Sequence, residues 1–203
     1  SAFDKVGRRL GYRTYYFTKV QCVGALVTPD SGTSAAPFTG CVDFHAWALE
    51  RIAAIQPTLA VVSTSPGSRG VYDSDGNHRT DRDVVDDIVQ QGYVDLLDTL
   101  ETMADETVML LDVPRVDGDP VACLSAARGT LRRCLMRADG SRDAQIRDQA
   151  AAAEEAGVRA VPTRQWFCHQ GRCPAVVGDL LPYRDVGHMT NEYAAHLARS
   201  LAD

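Results

Sequence analysis

Asp185 and His188 are the residues of this chain whose types and spacing best suit chemistry. They stand three apart in Tyr183-Arg184-Asp185-Val186-Gly187-His188-Met189-Thr190. A loop that turns back within three residues lets the carboxylate accept the imidazole Nδ1–H. The ring is then held in one tautomer, and Nε2 is left to take a proton from a hydroxyl nucleophile. That is two thirds of a hydrolase triad, placed just ahead of a helical run from Asn191 to Leu201. Spacing alone does not select a site, because the chain carries its own control. Asp75-Gly76-Asn77-His78 repeats the interval in a Gly- and Asp-rich mid-chain loop, where it reads as solvated.

The third member of a triad is not visible. There is no Gly-x-Ser-x-Gly, and Gly178-Asp179-Leu180 has a leucine where Gly-Asp-Ser would place a hydroxyl. Ser63, Ser65 and Ser68 follow an apolar run, where functional groups collect, and the segment Ser63–Gly70 could offer backbone N–H groups to an oxyanion. Taken singly, each of these serines reads as part of a polar loop. His169 reads as a polar tip between two cysteines, and Trp47 and Trp166 as anchors rather than sugar platforms.

Such a dyad needs elements to position it. Residues 3–10 read as a helix with Phe3, Val6 and Leu10 on one face, and aromatic-rich Arg13–Thr18 as a strand. After a Gly-, Ser- and Thr-rich loop from Gly24 to Gly40, the apolar spacing predicts a helix over Val42–Ile55, ended by Gln56-Pro57. Leu59–Ser63 reads as a strand covered on both faces. A polar loop follows from Thr64 to Thr80, then a helix from Asp83 to Met103 with a potential break at Gly92. Val108–Pro114 reads as a second buried strand, and Pro120–Met136 as a loop with a short helix. Ala144–Ala156 is an Ala-rich helix closed by Gly157 as C′, Val158–Val161 a further strand, and Thr190 the N-cap of the last helix.

Short apolar strands alternating with helices predict βαβ crossovers, hence an α/β fold with a parallel sheet and helices on both faces. Ligands in such folds sit at the carboxyl ends of the strands. The loops gathering there are Thr18–Cys41, Thr64–Thr80, Pro114–Cys123 and Thr163–His188. No internal repeat or linker appears, so residues 1–203 read as a single domain.

A formal charge of −6 argues against a nucleic-acid partner, which needs a basic face. No apolar run is long enough to cross a bilayer. The six cysteines form three local pairs, Cys22 with Cys41, Cys123 with Cys134, and Cys168 with Cys173. No C-x-x-C is present, which disfavours a zinc ribbon or thioredoxin site. An even count in loops favours those three disulfides and an oxidising compartment. Six unrelated thiols, or a metal at Cys168, His169 and Cys173, remain as alternatives.

Four stretches carry a resemblance. They are Ala2-Phe3-Asp4-Lys5 through Gly11-Tyr12-Arg13 to Thr18–Cys22; Cys41 with Trp47 and Gln56–Val62; Asp112-Val113-Pro114-Arg115 to Cys123 and Cys134; and Trp166-Phe167-Cys168 with Cys173-Pro174, then Tyr183–Asp185 and His188–Thr190. In this order the sequence resembles the SGNH (GDSL-type) hydrolase-like domain at the C-terminus of bacterial acyltransferase-3 membrane proteins. The resemblance implies a flavodoxin-like three-layer α/β/α fold. It implies transfer of acetyl or other short acyl groups to a cell-envelope glycan or glycolipid, through a serine ester and without a cofactor. The acyl donor would be delivered by a transmembrane acyltransferase domain, and the location would be extracytoplasmic, tethered to the membrane. His188 and Asp185 match the catalytic His and Asp; Gly67 and Gly70 are the candidate oxyanion glycines. The family's Gly-Asp-Ser-His block precedes the first helix by a few residues, so the nucleophile and first strand are expected upstream of Ser1. A non-catalytic glycan- or partner-binding module and a free-standing carbohydrate esterase are the alternatives.

Overall fold

The structure is a computed structural model that describes residues 2–65, 67–126 and 130–201. Ser1 and Pro66, which the sequence reading placed at the start of the chain and in the Ser63–Gly70 loop, lie outside them. In chain order the described elements begin α1 (Ala2–Leu10), β1 (Thr28–Pro29), α2 (Thr39–Ile55), β2 (Ala60–Ser63), β3 (Val71–Tyr72), β4 (His78–Arg79) and α3 (Arg82–Glu101). They continue with β5 (Thr107–Leu110), α4 (Pro120–Ala126), a 3-10 turn (Leu131–Cys134), β6 (Leu135–Arg137), α5 (Asp143–Glu155), β7 (Arg159–Val161), α6 (Arg164–Phe167), β8 (Arg172–Pro174) and α7 (Asn191–His196). The chain forms two compact units.

The unit made of Phe17–Asp112 and Arg142–Pro162 holds the parallel sheet, in the order β2-β5-β7. Val61 faces Val108 across one ladder, and Met109 faces Ala160 across the other. The crossovers β2–α3–β5 and β5–α5–β7 bring α3 and α5 into contact with each other and with β5. Thr107, Val108 and Met109 are all buried, so the central strand is covered on both faces. This is the expected three-layer α/β/α class. Asp81 caps α3 by accepting the Val84 N–H, and Val85, Val89, Leu97 and Leu100 form its buried stripe. Each such side chain contributes on the order of 1.5–3 kcal/mol by leaving water.

Helix α3 runs unbroken through Gly92. The glycine is there for proximity: a Cβ on it would lie 2.6 Å from Val27 Cγ1 and 3.1 Å from the Leu26 nitrogen. The Leu26 N–H donates to the Gly92 carbonyl at 2.8 Å. Alanine is the better helix former by about 1 kcal/mol, but overpacking costs about 1–3 kcal/mol. Gly92→Ala is therefore expected to lose up to about 2 kcal/mol, read as a lower urea midpoint at unchanged m. A midpoint equal to or above wild type would show that the helix–loop contact yields freely.

Two expectations need correction. Residues 12–19, including the predicted strand Arg13–Thr18, form no ladder. Tyr12, Tyr15 and Tyr16 are about half exposed. Aromatic content marks a segment fitted to a pleated surface; without a neighbour to bond, it makes no strand. The predicted burial of Leu59–Ser63 on both faces also fails. Val62 packs into the core, while Leu59 is 49% and Val61 36% exposed on the opposite face.

The polar loop from Thr64 to Thr80 contains a small hairpin, β3–β4, which β1 extends to a three-stranded antiparallel sheet. Its signal was Asp75-Gly76, a turn pair between two short runs. The Asp73 carboxylate accepts the Asn77 and Asp75 N–H groups and the Arg79 Nε–H. The Asn77 N–H above all, with Arg79 and the Asn77 side chain, holds that carboxyl down at about 2.

The other unit comprises Ser1–Tyr16, Val113–Ser141 and Thr163–Asp203. Strands β6 and β8 pair antiparallel, and Phe167, Tyr183, Tyr193, Met136 and Val116 build a separate core beside them. Helix α1 buries Ala2 and Gly7, half-buries Phe3 and Val6 and leaves Leu10 half exposed. Thr190 caps α7 as expected, its hydroxyl accepting the Tyr193 N–H. The helix ends at His196, short of Leu201.

Candidate active site

The loop carrying Asp185 and His188 is fixed at both ends. Tyr183, almost fully buried, donates its hydroxyl to the Pro114 carbonyl at 2.8 Å. The Val116 N–H donates to the Val186 carbonyl at 2.9 Å, and the Arg184 N–H to the His188 carbonyl at 2.9 Å. An antiparallel bridge joins Tyr183 to Met189. Within this frame the Asp185 side chain folds back on its own loop, as Asp does in turns. Its Oδ1 accepts the Gly187 N–H at 2.9 Å and the His188 N–H at 2.8 Å.

The same carboxylate receives the imidazole. His188 Nδ1 lies 2.9 Å from Oδ1 and 2.8 Å from Oδ2. Arg184 Nε is farther, at 3.9 Å, and does not displace it. What burial Asp185 has pushes its carboxyl up. The Gly187 N–H, the His188 imidazole and the His188 N–H outweigh that and hold it below the usual carboxylate range. An ionised Asp185 keeps the proton on Nδ1. His188 Nε2 makes no hydrogen bond among the described residues, and the side chain is 67% exposed. The arrangement holds one imidazole nitrogen on a carboxylate and leaves the other open.

The control pair behaves differently. His78 does not touch Asp75; its Nε2 meets Asp30 Oδ2 at 3.3 Å, and its ring lies 5.1 Å from Tyr72. A Cβ on Gly70 would fall 2.6 Å from both Asp30 Oδ2 and His78 Nε2. The absent side chain at Gly70 thus admits this pair. Gly67 lies by Gln145 in the same unit, and its N–H meets no acceptor among the described residues.

The serines have other partners. Ser65 Oγ accepts from Arg142 Nη1 at 2.9 Å, and Ser68 donates to the Gly70 carbonyl. None of Ser63, Ser65 and Ser68 hydrogen-bonds a histidine among the described residues. Arg142 also donates to Asp112 at 3.1 Å, a polar group beyond the end of β5 that sequence reading missed. Its signal was Asp112 after an apolar strand, at the carboxyl edge where ligands gather.

All six cysteines are bonded, as Cys22–Cys41, Cys123–Cys134 and Cys168–Cys173. Cys168 and Cys173 therefore offer no thiolates, and the His169 backbone pairs with Arg172 instead. His45 Nε2 lies 3.4 Å from Cys22 Sγ and 3.0 Å from the Val23 carbonyl. Burial lowers the His45 pKa below the ordinary imidazole value, against the Val23 contact, which raises it.

The sequence and the fold can now be set beside known proteins. No curated protein matches the chain by sequence. The fold is similar to the periplasmic domain of a lipopolysaccharide acetyltransferase of Salmonella ser. Paratyphi A, with a TM-score of 0.70 at 12% identity. The match covers 100% of this chain and 78% of that one. The model of the SGNH domain fused to AT3 domains matches residues 1–203. No helix among the described residues is long and apolar enough to cross a membrane. With that model matching from end to end, this chain belongs to the SGNH domains that are fused to AT3 domains.

Proposed function

We propose that this chain is the extracytoplasmic acyl-transfer domain of a membrane-tethered O-acyltransferase. It moves acetyl or another short acyl group, delivered by the AT3 domain, onto a hydroxyl of a cell-envelope glycan or glycolipid. The observation that carries the reading is the Asp185–His188 pair, with Nδ1 bound by both carboxylate oxygens and Nε2 unoccupied among the described residues. In transfer, His188 Nε2 takes the proton of a serine as the serine attacks the acyl carbonyl of the donor, and passes it to the donor's leaving group as that bond breaks. The neutral nitrogen then takes the proton of the acceptor hydroxyl as it attacks the serine ester, and returns it to the serine oxygen as the ester breaks. Asp185 keeps the ring oriented and stabilises the imidazolium.

The serine itself belongs to the segment upstream of Ser1 in this reading. In this reading a further strand pairs along the open side of β2, which is an edge strand among the described residues. Three disulfides fit the extracytoplasmic location.

One observation favours a second reading, a binding module without turnover: no hydroxyl meets His188 Nε2 among the described residues. An esterase assay separates the two. Residues 1–203 are expected to hydrolyse a small acetyl ester orders of magnitude more slowly than a form extended upstream by roughly ten to fifteen residues, a strand and a turn. Equal rates in the two forms would place the nucleophile within residues 1–203. Inactivity of both, with no Gly-Asp-Ser upstream, would favour the binding module.

A further inference from the structure

Arg115 lies against the loop that holds the dyad. A Cβ on Gly187 would be 3.4 Å from Arg115 Cγ and 3.4 Å from its Nη1, so the arginine side chain covers the residue between Val186 and His188. The backbone around it is pinned: Pro114 receives the Tyr183 hydroxyl, and Val116 donates to Val186. Arg115 is ion-paired with Asp139; burial pushes that carboxyl up, and Ser141 with Arg115 holds it below its usual range. Asp139 Oδ2 is 3.6 Å from Nε, beyond a good hydrogen bond, and Asp139 Oδ1 accepts the Ser141 N–H at 2.7 Å. The terminal nitrogens of Arg115 donate to no acceptor among the described residues, and the side chain is about one-third exposed. Asp185, the other carboxylate of the loop, is taken by His188.

A planar fork of unused donors, anchored beside an exposed base, is suited to a carboxylate or a phosphate. We propose that Arg115 is a specificity-determining residue that docks an anionic group of the acceptor, so that a neighbouring hydroxyl of the same glycan faces His188 Nε2. This rests on His188 being the base of the acyl transfer, but its test does not need turnover. The substrate class is thereby narrowed to glycans bearing a carboxylate, as in a uronic acid, or a phosphate.

The experiment follows the Arg115 Nε–H resonance of the full-length protein during titration with methyl glucuronide, glucose 6-phosphate and methyl glucoside. One or both anionic sugars are expected to give a saturating shift and the neutral sugar none; which anion binds tighter names the group. The same binding, followed calorimetrically, should weaken at least about tenfold in Arg115→Gln, partly return in Arg115→Lys, and persist in His188→Ala. Equal response to the neutral sugar, no response to either anion, or undiminished binding by Arg115→Gln would each overturn the proposal. Activity of His188→Ala reports separately on the catalytic reading: anion binding that survives in an active His188→Ala protein would sink the base assignment and leave the anion site standing.

Discussion

His188→Ala, made in the full-length protein, is expected to lower kcat for a small acetyl ester by roughly 10⁴-fold or more. The loss would be chemical. The His188 side chain is 67% exposed and its ring bonds only Asp185 among the described residues. The His188 backbone N–H still reaches Asp185 Oδ1 in the variant, so the turn survives. A surface truncation of this kind moves stability by within about 0.5 kcal/mol. Parallel measurement of kcat and of the thermal midpoint decides the matter. Activity within a few-fold of wild type would reduce His188 to a loop residue, and a collapsed midpoint would reassign the effect to folding.

Asp185→Asn should come close to that loss, roughly 10³–10⁴-fold in kcat, by a different route. Oδ1 serves the two backbone N–H groups and Oδ2 faces Nδ1, so an asparagine keeps its oxygen on the backbone and turns its amide toward the ring. Nδ1 must then accept, the proton moves to Nε2, and the base is blocked. The substitution also removes a titration. The Asp185 pKa is lowered in the folded protein, so the stability it contributes is present above the unfolded carboxylate range. It is lost as pH falls through the folded value. Asp185→Asn is thus expected to flatten part of the acid limb of the stability profile, by lowering stability at neutral pH while leaving it nearly unchanged in acid. If its kcat matches wild type, tautomer control by Asp185 is not used.

The same comparison shows what the residues disclosed in advance. The strands at Leu59–Ser63, Val108–Leu111 and Val158–Val161 were legible because their apolar runs are bounded by turn residues, and the structure pairs them in parallel. Arg13–Thr18 has the same composition signal and no ladder, since pairing belongs to two segments and a sequence window shows one. Asp185 and Asp75 stood at equal distance before a histidine. What separated them was the backbone: Asp185 has two N–H groups and a pinned loop to aim it, whereas the hairpin sends His78 to Asp30, far away in sequence. Arg142 with Asp112 and Ser65 was illegible for the same reason, its partners lying tens of residues apart.

The disulfides join each cysteine to the next one along the chain, and each bridge closes inside a single compact unit. A polypeptide appearing N-terminus first would present Cys41 to a waiting Cys22 before any later thiol existed to compete. Cys134 would likewise follow Cys123, and Cys173 would follow Cys168. Correct connectivity is then the kinetically first product of an oxidant acting in order of appearance. Proofreading by thiol exchange, which nonconsecutive bridges demand, becomes dispensable for this domain.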